Sequence, residues 1–256
     1  MAGECIVERT DTRASLMDLL KLVRDKVDPA LVTGAAAKVC EVLEHVGSSA
    51  PRARGADGKP LVRWQDAVIA QIIPQGASVL DLGCGDGHLL SRLAREKDVH
   101  VQGVDLDGEA VFQCVEAGVP VIQCDLDEGL KGFPDGRFDY VILEETLQTL
   151  QRPDLMLGEM LRVGRQGLVS FPNFGYWRVR VDLMARGRMP VTEWLPYRWY
   201  DTPNIHLFCL SDFTDWAEQN GVAITEGWVL SEGAVRPLGT DDNLYAEEAL
   251  LLLKHA

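Results

Sequence analysis

The chain has 256 residues, 46% of them hydrophobic, which is enough for one sizeable α/β domain with an appendage. Its formal net charge of −14 argues against unassisted binding to nucleic acid, because phosphate contacts need a basic surface. Anionic membrane surfaces are disfavoured for the same reason, so the composition excludes these two classes of partner.

The cysteines and the N-terminal residues predict the cellular compartment. The six cysteines are scattered, without a Cys-x-x-Cys pair or histidines at ligand spacing. We therefore expect reduced thiols and neither a disulfide framework nor a metal site. No apolar signal segment follows Met1 and no apolar run is long enough to span a membrane, so we expect a cytoplasmic protein.

Residues 13–46 carry a helical pattern, with apolar residues at three- and four-residue steps. Asp28-Pro29 divides the pattern, since Asp is a favoured N-cap and Pro is accepted at the first helical position. This predicts a helical hairpin that covers one edge of the main domain, contacts a second copy in a homodimer, or docks a partner. We assign residues 1–60 to this extension and a Gly/Ser/Pro-rich linker, and residues 61–256 to the main domain.

From residue 61 onward, strand-like and helix-like segments alternate. This pattern predicts an α/β fold with a doubly wound, mostly parallel, seven-stranded sheet. The seven expected strands are the run ending at Leu82, His100–Val104, Pro120–Gln123, Phe138–Leu143, Gly167–Phe171, Val222–Leu230 and Ala246–Leu253. Gly164–Gln166 is interpreted as the turn before the fifth strand, and Ser211 as the N-cap of a helix that ends near Asn220.

The first strand runs into a glycine-rich turn built on Gly83, Gly85 and Gly87, and a helical pattern begins directly after it. Such a turn brings backbone N–H groups and a helix N-terminus against a ligand, and glycine permits both positive φ and close approach. A dinucleotide is disfavoured, because its fingerprint needs glycine where this chain has His88, and because acidic Asp81 stands beside the turn. The pattern resembles motif I of class I S-adenosylmethionine-dependent methyltransferases, in which this loop lies under the amino-acid part of the cofactor.

Carboxylates follow the next two strands at the same edge of the predicted sheet. Asp105 follows Gly87 at close to the offset of about 20 residues at which an acid accepts hydrogen bonds from ribose hydroxyls, with Asp107 as a weaker candidate. Asp125 resembles the acid that methyltransferases of this class place near the adenine amino group. Because Asp is also a favoured helix N-cap, both roles stay open for Asp125.

The segment 172–208 is a long insert, rich in arginines and aromatic residues within an otherwise acidic chain. Connections of this length are usually functional. Arg178, Trp199 and Tyr200 are our candidates for contacts with a substrate or partner, since arginine stacks on aromatic rings and binds carboxylate or phosphate. The insert is expected to close over the cofactor and to form an anion pocket or a protein-docking face, unless its rings only form a small core. His206 is a candidate general base, with a structural role as the alternative.

Several further motifs together resemble the MetW family of methionine biosynthesis proteins. The segments are VLDLGCGDGHLL, GVDLD, VIQCDLDEGL, FPDGRFDYVIL, TLQ, GEMLRVGR and SFPNFGYWRVR…GRMPVTEWLPYRWYDTPNIHL. They cover roughly Ile73 to Trp228, and residues 1–60 lie outside the resemblance. The chain departs from the family's pattern at Glu144-Glu145, where we expect Ser-Gln; these two acids would edge the mouth of the site.

The resemblance implies a class I methyltransferase fold whose ligand is S-adenosylmethionine or its demethylated product, S-adenosylhomocysteine. It also implies association with homoserine O-acyltransferase, which acylates homoserine early in methionine synthesis. We therefore expect an accessory subunit of that enzyme, placed where a product of the pathway can regulate an early step. The alternatives are an active methyltransferase acting on a small anionic acceptor and a scaffold whose cofactor loop no longer functions.

Overall fold

A computed structural model gives the fold of the protein, and the structure describes residues 63–192 and 194–255. The predicted helical hairpin and linker lie outside the described residues. Within them the chain forms two compact units. The described part of one unit is residues 63–176, 191–192 and 194–255 and contains the sheet, and the described part of the other is Trp177–Pro190.

The first half of the sheet is built by alternating helices and strands. Its elements are α1 (Trp64–Ile72), β1 (Ser78–Leu82), α2 (His88–Lys97), β2 (His100–Asp105), α3 (Gly108–Glu116), β3 (Val121–Gln123), β4 (Phe138–Glu144), α4 (Pro153–Val163) and β5 (Gly164–Pro172). Short 3₁₀ turns at Leu126–Glu128 and Leu147–Thr149 follow β3 and β4. The central part of β4, Tyr140–Leu143, is apolar on both faces, as a central buried strand requires.

The remaining elements complete the sheet and the second unit. They are α5 (Trp177–Arg186), α6 (Leu210–Gln219), β6 (Val222–Ser231), β7 (Ala234–Pro237), α7 (Asp242–Tyr245) and β8 (Glu248–His255). Of these, α5 belongs to the second unit and the others to the first. None of the helices in the described ranges is long and apolar enough to cross a membrane.

The strands form one sheet in the order β3-β2-β1-β4-β5-β8-β6-β7. Pairing is parallel from β3 to β5, whereas β8 runs antiparallel to both β5 and β6. The strand order reverses between β1 and β4, and ligands of open α/β sheets bind at the carboxyl ends of strands beside such a reversal. The predicted α/β class and the mostly parallel arrangement are confirmed.

The sheet has eight strands, one more than the sequence predicts. The additional strand, β7, pairs with β6 in a hairpin joined by Glu232 and Gly233. Both residues have positive φ, 53° and 76°, as a two-residue type I′ turn requires. Glu is not among the usual first residues of that turn, so the sequence contains only a weak hairpin signal at this point.

The start of β5 also differs from the prediction. Gly164–Gln166 is not a turn but the first part of the strand, paired with β4 from Phe138 onward. A Cβ on Gly164 would lie 2.5 Å from Val141 Cγ2. Glycine is therefore needed here for close packing between adjacent strands and not for a change of chain direction.

The N-cap of α6 is Cys209 and not Ser211 as predicted. The Cys209 N–H donates to Asp212 Oδ2 at 2.7 Å, and the Cys209 side chain completes a capping box. Asp212 thus takes the position of the usual Glu or Gln in a capping box. Cysteine is not among the favoured N-cap residues, so the sequence favours Ser211 instead.

Apolar side chains cover both faces of the sheet. On one face α4 and α6 contribute Met156, Met160 and Phe213 to the core. On the other face α1 contributes Ile69, its C-cap residue Ile73 packs beside it, and α2 contributes Leu90. Because each face is sealed by helices, polar side chains are concentrated at the ends of the strands, where the loops leave the sheet.

Asn173, directly after β5, connects the end of that strand to the C-terminal part of the sheet unit. It is 1% exposed, and its Oδ1 accepts from the N–H groups of Gly175 and Leu210 at 2.9 and 3.0 Å. Its Nδ2 group donates to the backbone carbonyls of Asp242, Asn243 and Ala246. One side chain therefore satisfies five backbone groups from three segments.

We expect Asn173→Ala to lower the free energy of unfolding by about 3 kcal/mol or more, because it leaves several buried backbone groups without partners. Asn220→Ala is the control, since the Asn220 side chain makes one hydrogen bond at the surface, to Trp216 O. Urea unfolding of both variants measures the difference. Equal losses in the two variants would contradict the role assigned to Asn173.

Candidate functional site

The glycine loop joins β1 to α2 at the carboxyl edge of the sheet. Gly83, Gly85 and Gly87 have φ values of 80°, 55° and 73°, in the left-handed region that favours glycine. A Cβ on Gly83 would lie 2.5 Å from Thr146 Oγ1, and one on Gly87 would lie 2.8 Å from Cys114 Sγ. No heavy atom lies within 4 Å of a Cβ placed on Gly85. Gly85 is thus the point of the loop that a ligand can approach.

Asp105, at the end of β2, holds this loop. Its Oδ2 accepts from the Gly85 N–H at 2.8 Å, and its Oδ1 accepts from the Asp107 N–H at 2.9 Å. Each carboxylate oxygen retains further acceptor capacity. Asp107 itself is the N-cap of α3 and accepts from the Glu109 N–H at 3.1 Å, which gives it a structural task.

Asp125 stands at the end of the neighbouring strand. Its Oδ1 accepts from the Asp127 N–H at 2.9 Å, so Asp125 is the N-cap of the 3₁₀ turn, one of the two roles that the sequence left open. The Cys124 N–H donates to Asp105 O at 3.0 Å, which places the ends of β2 and β3 side by side. A contact between Asp125 and an adenine ring stays a prediction.

Asp81, next to last in β1, is an acid in the interior. It is 4% exposed, and its Oδ1 has no hydrogen-bond partner. Burial raises the pKa of Asp81 to about 7, with Arg63 opposing the shift and Asp66 and Asp105 adding to it. Near neutral pH this carboxyl group is therefore divided between its protonated and ionised forms.

Arg63 and Asp66, at the start of α1, lie close to the end of β4, and sequence reasoning did not assign either of them to the site. Arg63 Nε lies 3.4 Å from Glu144 Oε1 and 3.7 Å from Asp66 Oδ1. Glu144 is 5% exposed, and neither of its carboxylate oxygens has a hydrogen-bond partner. Burial raises the pKa of Glu144 well above its ordinary value, and Arg63 opposes this. The spacing of the residues contains no sign of this contact, because only the fold brings α1 to β4.

The backbone after β4 turns in an unusual conformation. Glu145 has a φ of 50°, which is uncommon for a residue other than glycine. Its carboxylate accepts from Gln65 Nε2 at 3.0 Å, and its carbonyl accepts from Gln148 Nε2 at 2.7 Å. The His206 N–H donates to Gln148 O at 3.0 Å, which brings the end of the insert to this edge. The His206 side chain is exposed, and its role as a general base stays a prediction.

Trp199 and Tyr200 extend into solvent from the part of the insert that belongs to the sheet unit. They are 78% and 61% exposed, and their rings meet edge to face with centroids 5.6 Å apart. Arg198 Nη1 donates to the Tyr200 hydroxyl at 2.9 Å. Among the alternatives for the insert, exposure of these two rings favours a docking face over a small aromatic core.

Arg178 lies in α5, within the second compact unit. Its guanidinium stands over the Trp177 ring, 5.2 Å from the ring centroid. This is the stacking of arginine on an aromatic ring that the sequence predicts. Contact of Arg178 with a substrate or partner stays a prediction.

We expect the unfolding free energy of Asp81→Asn to exceed that of the wild type by an amount that grows as the pH rises from about 4 to about 7. An acid whose pKa is raised by folding favours the folded state while it is protonated, and this contribution is lost as the pH rises through the folded-state pKa. Asparagine cannot ionise, so the gap in unfolding free energy between variant and wild type should widen by roughly 1.4 kcal/mol per pH unit.

Urea unfolding at a series of pH values measures this gap. Asp215→Asn, which removes an exposed carboxylate from α6, is the control variant. A gap for Asp81→Asn that stays constant with pH, or narrows as the pH rises, would contradict the assignment.

Comparison with known proteins identifies relatives along the whole sheet unit. Residues 63–253 match the family described as methionine biosynthesis protein MetW. A bifunctional methionine biosynthesis protein MetXA/MetW of Rhodopirellula baltica is 38% identical over 197 residues, which are 72% of this chain and 31% of that protein. A fatty-acid O-methyltransferase of Mycolicibacterium smegmatis is 34% identical over 138 residues, 52% of this chain and 46% of that enzyme. The chain thus spans less than half the length of either relative.

Solved structures share the fold. A TehB-like S-adenosylmethionine-dependent methyltransferase of Corynebacterium glutamicum matches with a TM-score of 0.53 and 16% identity, over 90% of this chain and 100% of that one. At this identity the likeness shows a common fold, whereas the family match rests on sequence along nearly all the described residues. The chain belongs to the MetW family of methionine biosynthesis proteins and has the fold of S-adenosylmethionine-dependent methyltransferases.

Proposed function

We propose that the glycine loop and the strand ends around it bind S-adenosylmethionine or S-adenosylhomocysteine. The observation that carries this proposal is the open space beside Gly85 together with Asp105, which holds the loop and keeps acceptor capacity toward the ligand. Asp81 and Glu144 make the surroundings acidic. An acidic site favours a ligand with cationic groups and disfavours the phosphates of a dinucleotide.

Each residue of the site has a task in this proposal. Asp105 accepts from the ribose hydroxyls, Asp125 lies toward the adenine, and the loop from Gly83 to Gly87 supports the amino-acid part. Asp81, at the end of the strand that leads into the loop, adds negative charge in its ionised form. When bound, S-adenosylmethionine supplies a methyl group on a sulfonium centre, and the fold alone leaves open whether that methyl group is transferred.

We further propose that the chain is an accessory subunit of homoserine O-acyltransferase. The proposal is supported by the relative from Rhodopirellula baltica, whose name joins MetXA to MetW and of which this chain matches 31%. Fusion of two parts in one polypeptide favours a shared task. Exposed tryptophan and tyrosine beside an arginine are typical of interface residues that contribute strongly to binding, so Trp199, Tyr200 and Arg198 are proposed to contact this partner.

An active methyltransferase is the second candidate, because the fatty-acid O-methyltransferase of Mycolicibacterium smegmatis is 34% identical over 138 residues. Methyl transfer depends mainly on positioning donor and acceptor, so it needs no strong base. Formation of S-adenosylhomocysteine from S-adenosylmethionine in the presence of cell-extract fractions would support this candidate. Loss of that turnover in His206→Ala, with the affinity for S-adenosylmethionine unchanged, would support His206 as the base.

Calorimetric titration with S-adenosylmethionine and S-adenosylhomocysteine tests the ligand. We expect Asp105→Ala to weaken binding by about 1.5–3 kcal/mol, because hydrogen bonds to a charged acceptor are lost. Asp107→Ala is the control, since it removes a carboxylate two residues away that caps α3. Failure of the wild type to bind either compound, or an equal loss in both variants, would contradict the proposed site.

Binding to purified homoserine O-acyltransferase tests the partner. We expect the double variant Trp199→Ala/Tyr200→Ala to bind at least about tenfold more weakly, since central aromatic residues contribute ~2 kcal/mol or more to an interface. Phe112→Ala removes another exposed aromatic residue, on α3, and should bind as the wild type does. If the wild-type chain neither binds the acyltransferase nor changes its rate, the accessory role is wrong.

A further inference from the structure

A groove with a volume of about 600 Å³ opens at the amino edge of the sheet. Its lining consists of the turn after α1 (residues 74–77), the first residues of β4 and β5, and Lys254 near the end of β8. The glycine loop lies at the carboxyl edge of the same parallel strands, so the groove is a separate site. Its volume falls within the range of small-molecule sites, about 300–1,000 Å³.

The strand register explains why polar side chains meet in this groove. Tyr140 pairs with Gln166 between β4 and β5, and the antiparallel register of β5 and β8 sets Lys254 beside Gln166. Leu168 and Leu252, two residues away on these strands, belong to the apolar core that α1 covers. Since side chains alternate along a strand, Gln166 and Lys254 lie on the same face as that core. The apolar face thus ends in polar side chains beside the turn that follows α1.

The acid that lines the groove, Asp139, is occupied by neighbouring groups of the protein. Its Oδ2 accepts from the N–H and the hydroxyl of Ser78 at 2.9 and 2.8 Å, and its Oδ1 lies 3.3 Å from Arg165 Nη1. The hydrogen bonds from Ser78 lower the pKa of Asp139, so this carboxylate is ionised and its oxygens are engaged. Asp139 therefore positions Arg165 at the edge of the groove and leaves little acceptor capacity for a ligand.

The other polar side chains of the groove can all donate, and they have no partners within residues 63–192 and 194–255. They are the Lys254 ammonium, the amides of Gln75 and Gln166, and the Tyr140 hydroxyl. Burial raises the pKa of Tyr140, and Asp139 and Glu226 add to the shift, so the hydroxyl keeps its proton. Two cations face one engaged carboxylate, and this surplus of donors favours an anionic ligand.

We propose that this groove binds a small organic anion, with its phosphate or carboxylate on Arg165 and Lys254 and a flat apolar part on the Tyr140 ring. Arginine and lysine both bind these anions, arginine through two parallel N–H groups. Pro74 and Ala77 add apolar lining near the tyrosine, which a ring of the ligand can contact. The inference does not depend on the proposed ligand of the glycine loop, which lies at the other edge of the sheet.

The test is an NMR titration of the full chain with phenyl phosphate and with benzoate, which join a flat ring to a phosphate and to a carboxylate. We expect at least one of them to shift the backbone amide signals of Gly76, Tyr140, Gln166 and Lys254 in a saturable way. The double variant Arg165→Gln/Lys254→Gln should bind that probe about tenfold or more weakly, because two charge-assisted contacts are lost.

A matched control removes two cations elsewhere. Arg95→Gln/Lys131→Gln makes the same change of net charge at exposed positions that do not line the groove. This variant should bind both probes as the wild type does. Arg165 and Lys254 are themselves exposed, so their replacement should leave the thermal unfolding temperature unchanged and the loss of affinity free of a folding defect.

Two further probes and two variants test the apolar contact. Benzyl alcohol carries the ring without the charge, and inorganic phosphate carries the charge without the ring, so each should bind more weakly than the better of the first two probes. Tyr140→Leu should weaken the binding of that probe, whereas Tyr140→Phe should not, because phenylalanine keeps the ring.

The titrations also identify the anionic group. Tighter binding of phenyl phosphate indicates a phosphate ligand, and equal or tighter binding of benzoate indicates a carboxylate; both outcomes support the groove as a site. The absence of saturable shifts with either probe would overturn the proposal, and so would shifts confined to the glycine loop. An equal loss of affinity in Arg95→Gln/Lys131→Gln would overturn it as well, because the response would then follow net charge alone.

Discussion

The hydrogen bond from the Gly85 N–H to Asp105 Oδ2 joins two strand ends into one surface. It forms only because the loop residues accept positive φ, and because β1 and β2 pair in register up to Leu82 and Val104. An open loop of three glycines would otherwise sample many conformations. The bond fixes the loop in one of them, so a ligand meets a surface that is already formed and loses less entropy on binding.

The electrostatics of the site follow from what surrounds this loop. Asp81, Asp66 and Glu144 are held on the side of the sheet that α1 covers, and Arg63 forms ion pairs with Asp66 and Glu144. Such an arrangement adds little to the stability of the fold, because the removal of charged groups from water costs about as much as their ion pairs contribute. The folded state is secured elsewhere, by the two apolar faces of the sheet and by the backbone contacts of Asn173. Stability and binding are thus assigned to different parts of the same sheet.

The sequence predicts those features of the fold that depend on residues close together in the chain. Strand β4 is recognisable because its centre, Tyr140–Leu143, is continuously apolar, as in a strand buried on both faces, and the glycine loop because three glycines alternate. The sequence does not predict the β7 hairpin, because Glu232 stands where a type I′ turn usually has Asn, Asp or Gly. The contact between Arg63 and Glu144 cannot be predicted from the sequence for a different reason. It depends on where the N-terminus of α1 lies on the sheet, and no local sequence pattern determines that position. Long-range polar contacts are fixed by packing, and packing is known only from the fold.

Both ends of the sheet finish in short strands. At one end lies β3 with three residues, and at the other β7 with four, closed by Pro237. Short edge strands, one of which ends in proline, give an incoming strand few backbone groups to pair with, which limits aggregation through strand addition. Association of this unit with another protein is therefore expected to rely on side chains, whose identity can discriminate among partners, rather than on an extension of the sheet, which any extended chain could join.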